Sequence, residues 1–238
     1  MRLQELQAAV SAKDTKAVIA ARGGYGTTRI LDQLDLAPLE QSPKWIVGSS
    51  DLTALLLTLY IRHGIVSIHG PMAFKYAEAD PEDTKALIRL LETGDWSPPG
   101  DLEPLSKGTA KGPLIGGNLT MLAHLAGTIP QDTTNGAILF MEDVTEQPYR
   151  LDRCLTQLKR AHLLDHVAGI VLGTFHNCTP GPDKTTAQAV LEQNLKPLGI
   201  PMAKNYPAAH GPRNYPFPHG AEITLEVTAD QATIGLDW

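Results

Sequence analysis

A serine stands between a glycine-serine pair and an aspartate, Gly48-Ser49-Ser50-Asp51, where the apolar run Trp45-Ile46-Val47 gives way to a helix beginning at Asp51. A sharp strand-to-helix turn lifts a hydroxyl clear of the sheet edge. It also lets the next amide, that of Asp51, face a developing oxyanion at the positive end of the helix. A helix field does not deprotonate a serine, so nucleophilic chemistry at Ser50 needs a separate base. The same residues also read as a helix cap, and on local sequence alone that is the commoner use of Ser and Asp. The motif is not the Gly-x-Ser-x-Gly of α/β-hydrolases.

Three further stretches carry candidate chemistry. The turn Arg22-Gly23-Gly24-Tyr25-Gly26 lies after a strand and before a helix, where exposed amides hold an anion or simply make a tight turn. It is neither a Walker A loop nor a complete GxGxxG. Glu142 and Asp143 close the apolar strand Ala137–Phe140 at its carboxyl end, the functional end of an open α/β sheet. The alternative is an ion pair with Arg150 or Arg153 on the next helix. His69 and His210 each sit in a loop near a glycine, as candidate general bases or as solvated loop residues. His162, His166, His176 and His219 have no metal-ligand spacing, and Cys154 and Cys178 form neither a metal motif nor a disulfide framework, so no metal is expected.

The elements that must position these groups follow from the apolar pattern. Met1 to Ser11 reads as a helix and Lys16 to Ala21 as a buried strand. A helix carrying Ile30, Leu31 and Leu34 follows the glycine turn. Trp45–Val47, the helix Asp51 to His63, the strand Ile65 to Ile68 and the helix Pro81 to Leu91 continue the alternation, which implies a parallel sheet with helices on its faces. Glu82 and Asp83 fall in the first turn of that last helix, where the dipole favours them. Thr93 to Pro113 is dense in Gly, Pro and Ser and reads as a linker. Beyond it, helices Pro148 to His162 and Thr185 to Leu198 and the strand Gly169–Gly173 precede an alternating hairpin that runs to Trp238.

The chain of 238 residues is long enough for one large or two small domains, on a prior of about 150 residues each. Its 20 Lys and Arg against 26 Asp and Glu leave a net charge of −6, unlike the basic footprint of a nucleic-acid binder. The longest apolar stretch, Leu52 to Ile61, falls short of the ~20 residues of a membrane span, and no signal region opens the chain. Cysteine usage fits a reducing cytoplasm.

Taken together, the motifs resemble those of the LD-carboxypeptidase family of serine peptidases. They are Ala-Arg-Gly-Gly-Tyr-Gly (21–26), Gly-Ser-Ser-Asp-Leu-Thr-Ala (48–54), His-Gly-Pro (69–71) and Gly-Gly-Asn-Leu-Thr (116–120). Leu-Phe-Met-Glu-Asp-Val (139–144), Pro-Tyr-Arg-Leu-Asp-Arg (148–153) and Ala-His-Gly (209–211) complete the set. The resemblance implies Ser50 as nucleophile, Glu142 and His210 as its triad partners, and an oxyanion hole made by the Asp51 amide and an amide of Gly23 or Gly24. The implied substrate is the murein tetrapeptide, cleaved in cell-wall recycling to release terminal D-alanine from the L-centre of a diamino acid. A carboxypeptidase must hold the free terminal carboxylate, for which the glycine-rich turn or a basic side chain such as Arg22 is the candidate, and Asn118 is expected to bind substrate as well. No cofactor, nucleic acid or membrane is implied, and a cytoplasmic homodimer is.

The fold implied is α/β. A Rossmann-like parallel-sheet domain over 1–93 carries the serine, 94–113 is a linker, and a strand-rich α/β domain over 114–238 carries Glu142 and His210. Members of the family carry a further strand and helix ahead of the region matched by Met1-Arg2-Leu3, so the first sheet is expected to have an open edge. Two other functions stay open beside carboxypeptidase activity: an immunity-type peptidase of the family's sister branch, which cleaves peptidyl-nucleotide antibiotics, and a shortened, inactive chain that only binds a peptide or anion.

Overall fold

The polar opening forms helix α1 (Arg2–Ser11), which buries Val10. Lys44 donates to the Val10 carbonyl at 2.8 Å and so ties off the end of that helix. The computed structural model describes residues 2–76, 79–100, 102–208 and 210–236; Met1, Ala209 and the end of the expected hairpin at 237–238 lie outside them. Strand β1 (Ala17–Ile19) follows. The expected helix after the glycine turn is instead two 3-10 turns, Thr27–Arg29 and Leu31–Gln33, before a short helix α2 (Pro38–Gln41). Thr27, Thr28 and Ile30 are β-branched and propagate a helix poorly.

Strand β2 (Trp45–Gly48) leads through the 3-10 turn Ser50–Leu52 into α3 (Thr53–His63), whose Leu55, Leu56, Leu57 and Leu59 are buried and which ends on Gly64 in the left-handed region. Strand β3 (Ser67–His69) and helix α4 (Pro81–Thr93) complete the first half, with the Asp80 side chain accepting from the Glu82 amide at the helix start. The remaining elements are β4 (Glu103–Ser106), β5 (Gly108–Asn118), α5 (Leu119–Leu125), β6 (Ile138–Val144), α6 (Pro148–Arg160), β7 (Gly169–His176) and α7 (Ala187–Leu195). Strands β8 (Met202–Lys204), β9 (Phe217–His219), β10 (Glu222–Val227) and β11 (Ala232–Leu236) close the chain.

These elements form a mixed α/β fold with two sheets. The first has the order β1-β2-β3-β9; β1, β2 and β3 are parallel, and β9 runs antiparallel to β3. The second has seven strands in the order β11-β10-β5-β6-β7-β8-β4, parallel from β5 through β8 and antiparallel outside them. Strand β1 lies at the edge of the first sheet. Two features depart from the expected layout. The stretch 94–113 is not only a connection: it supplies the edge strand β4 and the first part of β5. An edge strand tolerates Pro104 because its outward amide needs no partner, and the ladder is irregular beside it. The first sheet also takes its fourth strand, β9, from near the end of the chain.

Strand β6 is buried on both faces, as a central parallel strand must be. Leu139 and Met141 face a cluster built with α3, α5, α6 and α7, whereas Ile138 and Phe140 face the space between the two sheets. There Phe140 packs on Phe217 of β9 with ring centroids 4.8 Å apart, and Tyr206 meets both. The two sheets therefore share one interior. Among the described residues, no helix is long and apolar enough to cross a membrane.

Candidate active site

Ser50 follows β2 after the single residue Ser49 and adopts φ +60°, a left-handed conformation that costs a residue with a Cβ roughly 1–2 kcal/mol. The glycine turn packs on it. A Cβ on Gly23 would stand 3.0 Å from Ser50 Cβ and 3.1 Å from its Oγ, so only glycine brings this backbone so close to the hydroxyl. Asp51 is buried, and its Oδ2 accepts from the Thr27 amide at 2.9 Å and the Thr27 hydroxyl at 2.7 Å. The aspartate of Gly-Ser-Ser-Asp thus fastens the glycine turn to the start of α3.

A second thread runs from α3 to the second sheet. The Asn118 amide donates to Thr53 Oγ1 at 3.1 Å, and a side chain on Gly117 would overlap Thr53. Asn118 is paired in register with Glu142 on β6. Glu142 has no exposed surface and points to the same face as Phe140; its Oε2 lies 3.0 Å from His210 Nδ1. Burial pushes the Glu142 carboxyl above the ordinary carboxylate value, against the opposing pull of His210. Burial pulls the His210 imidazole down, but the hydrogen bond and charge of Glu142 outweigh it, so its pKa stands above the usual histidine value.

Asp143, the other carboxylate of the pair, faces the opposite way. It accepts from Asn118 Nδ2 at 3.0 Å, from the Thr120 amide at 2.9 Å and from the Thr120 hydroxyl at 2.8 Å, and so secures the start of α5. The alternative, an ion pair with the arginines of α6, is not found on either carboxylate: Arg150 meets Glu146 at 3.5 Å and Arg153 lies over the Tyr149 ring. Asn118, expected to bind substrate, has its amide group engaged inside the protein, with Oδ1 accepting from the Met121 amide and Nδ2 donating to Asp143. His69 is fully buried, stacked on Phe217 at 4.7 Å, with neither ring nitrogen hydrogen-bonded, and burial lowers its pKa to about 3. It does not serve as a general base. His219 is buried beside it and accepts from the Gly116 amide at 3.2 Å.

The loop bearing His210 is held by the first half of the chain, through residues that the sequence motifs did not single out. Lys75 Nζ donates to the His210 carbonyl at 2.8 Å. Arg213 Nε donates to Asp83 Oδ1 at 2.8 Å, and the Asn214 amide donates to Asp83 Oδ2 at 2.7 Å. Asn214 Nδ2 also donates to Ser49 Oγ at 3.3 Å, which places the loop against the residue next to Ser50. Asp83, expected merely to favour the helix dipole, is wholly buried and forms the anchor of this loop.

Two cavities adjoin the neighbours of the serine, Ser49 and Asp51. One, of about 300 Å³, is walled by Ser49, Pro71, Met72, Phe74, Lys75 and His210, among others. The other, of about 430 Å³, is walled by Arg2, Arg22 and the turn Gly23–Gly26 together with Asp51. Arg2 reaches that turn and donates to the Tyr25 carbonyl at 2.8 Å. Among the described residues, no group of three or more His, Cys, Asp and Glu side chains is placed to hold a metal ion. A half-buried serine in a left-handed turn, a buried carboxylate holding a histidine and a glycine turn packed on the serine are groups of the types that nucleophilic acyl transfer uses.

Comparison with known proteins bears on the same assembly. Residues 1–70 match the family model of the LD-carboxypeptidase N-terminal domain, and residues 111–225 match that of the LD-carboxypeptidase C-terminal domain. A putative carboxypeptidase of Synechocystis sp. is 38% identical over 94% of this chain and 74% of its own length. The murein tetrapeptide carboxypeptidase of Pseudomonas aeruginosa is 34% identical over 94% of this chain and 77% of its own. The crystal structure of muramoyltetrapeptide carboxypeptidase from Oxalobacter formigenes superposes with a TM-score of 0.84 at 33% identity, covering 100% of this chain and 84% of that one.

Proposed function

The chain belongs to the LD-carboxypeptidase family of hydrolases, and from that premise we propose that it is a serine carboxypeptidase that removes terminal D-alanine from murein tetrapeptide. The observation that carries this reading is the wholly buried Glu142 holding His210 Nδ1 at 3.0 Å, on a loop tied to the residue beside Ser50.

In the proposed reaction the other ring nitrogen of His210 takes the proton of Ser50 Oγ as that oxygen bonds to the scissile carbonyl carbon. Glu142 orients the imidazole and stabilises the imidazolium. The Asp51 amide and an amide of the Gly23-Gly24 turn receive the developing oxyanion. His210 then gives its proton to the leaving amine as the C–N bond breaks. Water gives a proton to the same histidine as it attacks the acyl carbon, and that proton passes to Ser50 Oγ as the acyl C–O bond breaks and the shortened peptide leaves as its acid. Arg22 and Arg2 line the cavity on the glycine-turn side, where a charged part of the peptide would meet them, and Asn118 acts on the site through Asp143 and α5. The reading carries with it a cytoplasmic place in murein recycling and a homodimer, which sedimentation would reveal.

The test is release of D-alanine from the tetrapeptide by purified protein, with Ser50→Ala as the control. Turnover is expected to fall by roughly 10⁴-fold or more in the variant while the fold stays intact. Release that persists in Ser50→Ala would remove the serine from the reaction. Cleavage of a peptidyl-nucleotide with no action on the tetrapeptide would favour the immunity-type alternative. Tetrapeptide binding without turnover would favour a binding chain.

A further inference from the structure

The carboxypeptidase reading leaves open what holds the free terminal carboxylate, and the two cavities beside Ser49 and Asp51 answer differently. A general acid must reach the nitrogen of the leaving residue, so that residue lies in the cavity that His210 itself walls. The second cavity, with Arg22 and Arg2, lies on the glycine-turn side and does not include His210 among its walls. In a leaving amino acid the nitrogen and the carboxylate sit on the same Cα. The group that meets the carboxylate must therefore stand close to the histidine.

Lys75 meets that requirement. Its ammonium is 2.8 Å from the His210 carbonyl and 3.4 Å from the Gly211 carbonyl, and it walls the 300 Å³ cavity together with His210. An ammonium has three hydrogens, and these two carbonyls take two of them. Asp83 also borders the cavity, but its oxygens are engaged by Arg213 and the Asn214 amide, so it does not cancel the lysine. Among the described residues walling this cavity, Lys75 is the one Lys or Arg. Pro71, Met72 and Phe74 give one part of the wall an apolar character. A carboxylate entering such a cavity loses water and needs a fixed cation in exchange.

We propose that Lys75 is the specificity residue that receives the terminal carboxylate of the leaving D-amino acid, and so makes the enzyme a carboxypeptidase rather than an endopeptidase. The proposal rests on the carboxypeptidase reading above and shifts the carboxylate from Arg22 to Lys75. The same ammonium braces the His210 loop, which couples occupancy of the cavity to the position of the base.

The test compares murein tetrapeptide with its C-terminal carboxamide, in which the charge is absent and the scissile bond is unchanged. The wild-type protein is expected to favour the acid by about 10- to 100-fold in kcat/KM, the size of one charge-assisted hydrogen bond. Lys75→Met collapses that ratio, chiefly by raising KM for the acid, and Lys75→Arg restores part of it. Arg22→Met keeps the ratio. Circular dichroism confirms that each variant is folded. If Lys75→Met slows acid and amide equally, the lysine only braces the loop and the proposal falls. It also falls if Arg22→Met, and not Lys75→Met, abolishes the preference. Wild-type protein that cleaves neither peptide overturns both the proposal and the carboxypeptidase reading, whereas good cleavage of the acid with an unchanged ratio in Lys75→Met overturns the proposal alone.

Discussion

Arg213, three residues after His210, grips Asp83 of α4 through Nε at 2.8 Å and Nη2 at 2.7 Å, across 130 residues of chain. Asp83 is wholly buried, so its charge depends on Arg213 and on the Asn214 amide for compensation. Asp83→Ala leaves a buried amide unpaired and frees the loop from α4. Stability is expected to fall by about 1–3 kcal/mol, since the arginine is partly exposed and retains Asp80. Turnover should fall at least tenfold because the loop delivers His210. Urea unfolding and steady-state kinetics read the two effects separately. An Asp83→Ala protein with full kcat would show that the loop holds itself.

The φ of +60° at Ser50 separates stability from activity. Glycine adopts this conformation freely, whereas alanine is strained in it as serine is. Both Ser50→Gly and Ser50→Ala should lose turnover, but the glycine variant should be more stable than the alanine variant by about 1 kcal/mol. Thermal melts of the pair measure this. Equal melting temperatures would mean that the turn carries no strain.

The residues most visible in the sequence are those whose chemistry depends on local geometry. Ser50 is marked by the turn that ends β2, Gly23 by its neighbours in the turn, and Glu142 by the end of an apolar strand. The alternation along β6 places Glu142 and Asp143 on opposite faces, so neighbouring carboxylates of one motif take different partners. What could not be read is pairing over distance. Strand β9 joins a sheet made of residues 17 to 69, β4 and β5 arise from a stretch whose prolines and glycines suggest a linker, and Asp83 finds Arg213 only once the two sheets pack. His69 shows the limit of motif reading. A loop-like His-Gly-Pro belongs to a buried strand whose histidine stacks on an aromatic ring contributed from residue 217.

The acid limb of activity should report His210. A general base must be neutral, so kcat/KM rises with pH through the His210 pKa, which stands above the usual value because Glu142 and Asp143 outweigh burial and the Lys75 charge. Glu142→Gln removes the largest of the raising causes and keeps the burial. The acid limb of that variant should move to lower pH even as its plateau drops. A pH–rate profile whose limb stays in place, or moves up, would assign the limb to another group.

His69 and His219 are held neutral in the interior, each with a pKa lowered to about 3 by burial, and His219 presses His69 further. In the unfolded chain both titrate near 6.5. The unfolded state therefore takes up protons below that pH while the folded state does not, and stability falls as pH drops from 6.5 towards 3. Above 6.5 the two states bind protons equally at these sites and the contribution is flat. The loss is roughly 1 kcal/mol per pH unit for each histidine. His69→Phe preserves the stack on Phe217 and removes one titrating group whose ring nitrogens have no partner. It should leave stability at pH 7 unchanged or improved, and should reduce the loss between pH 7 and pH 5 by about 1–2 kcal/mol. Urea unfolding at the two pH values decides it. An identical loss in wild type and variant would show that His69 binds its proton in the folded state as readily as in the unfolded one.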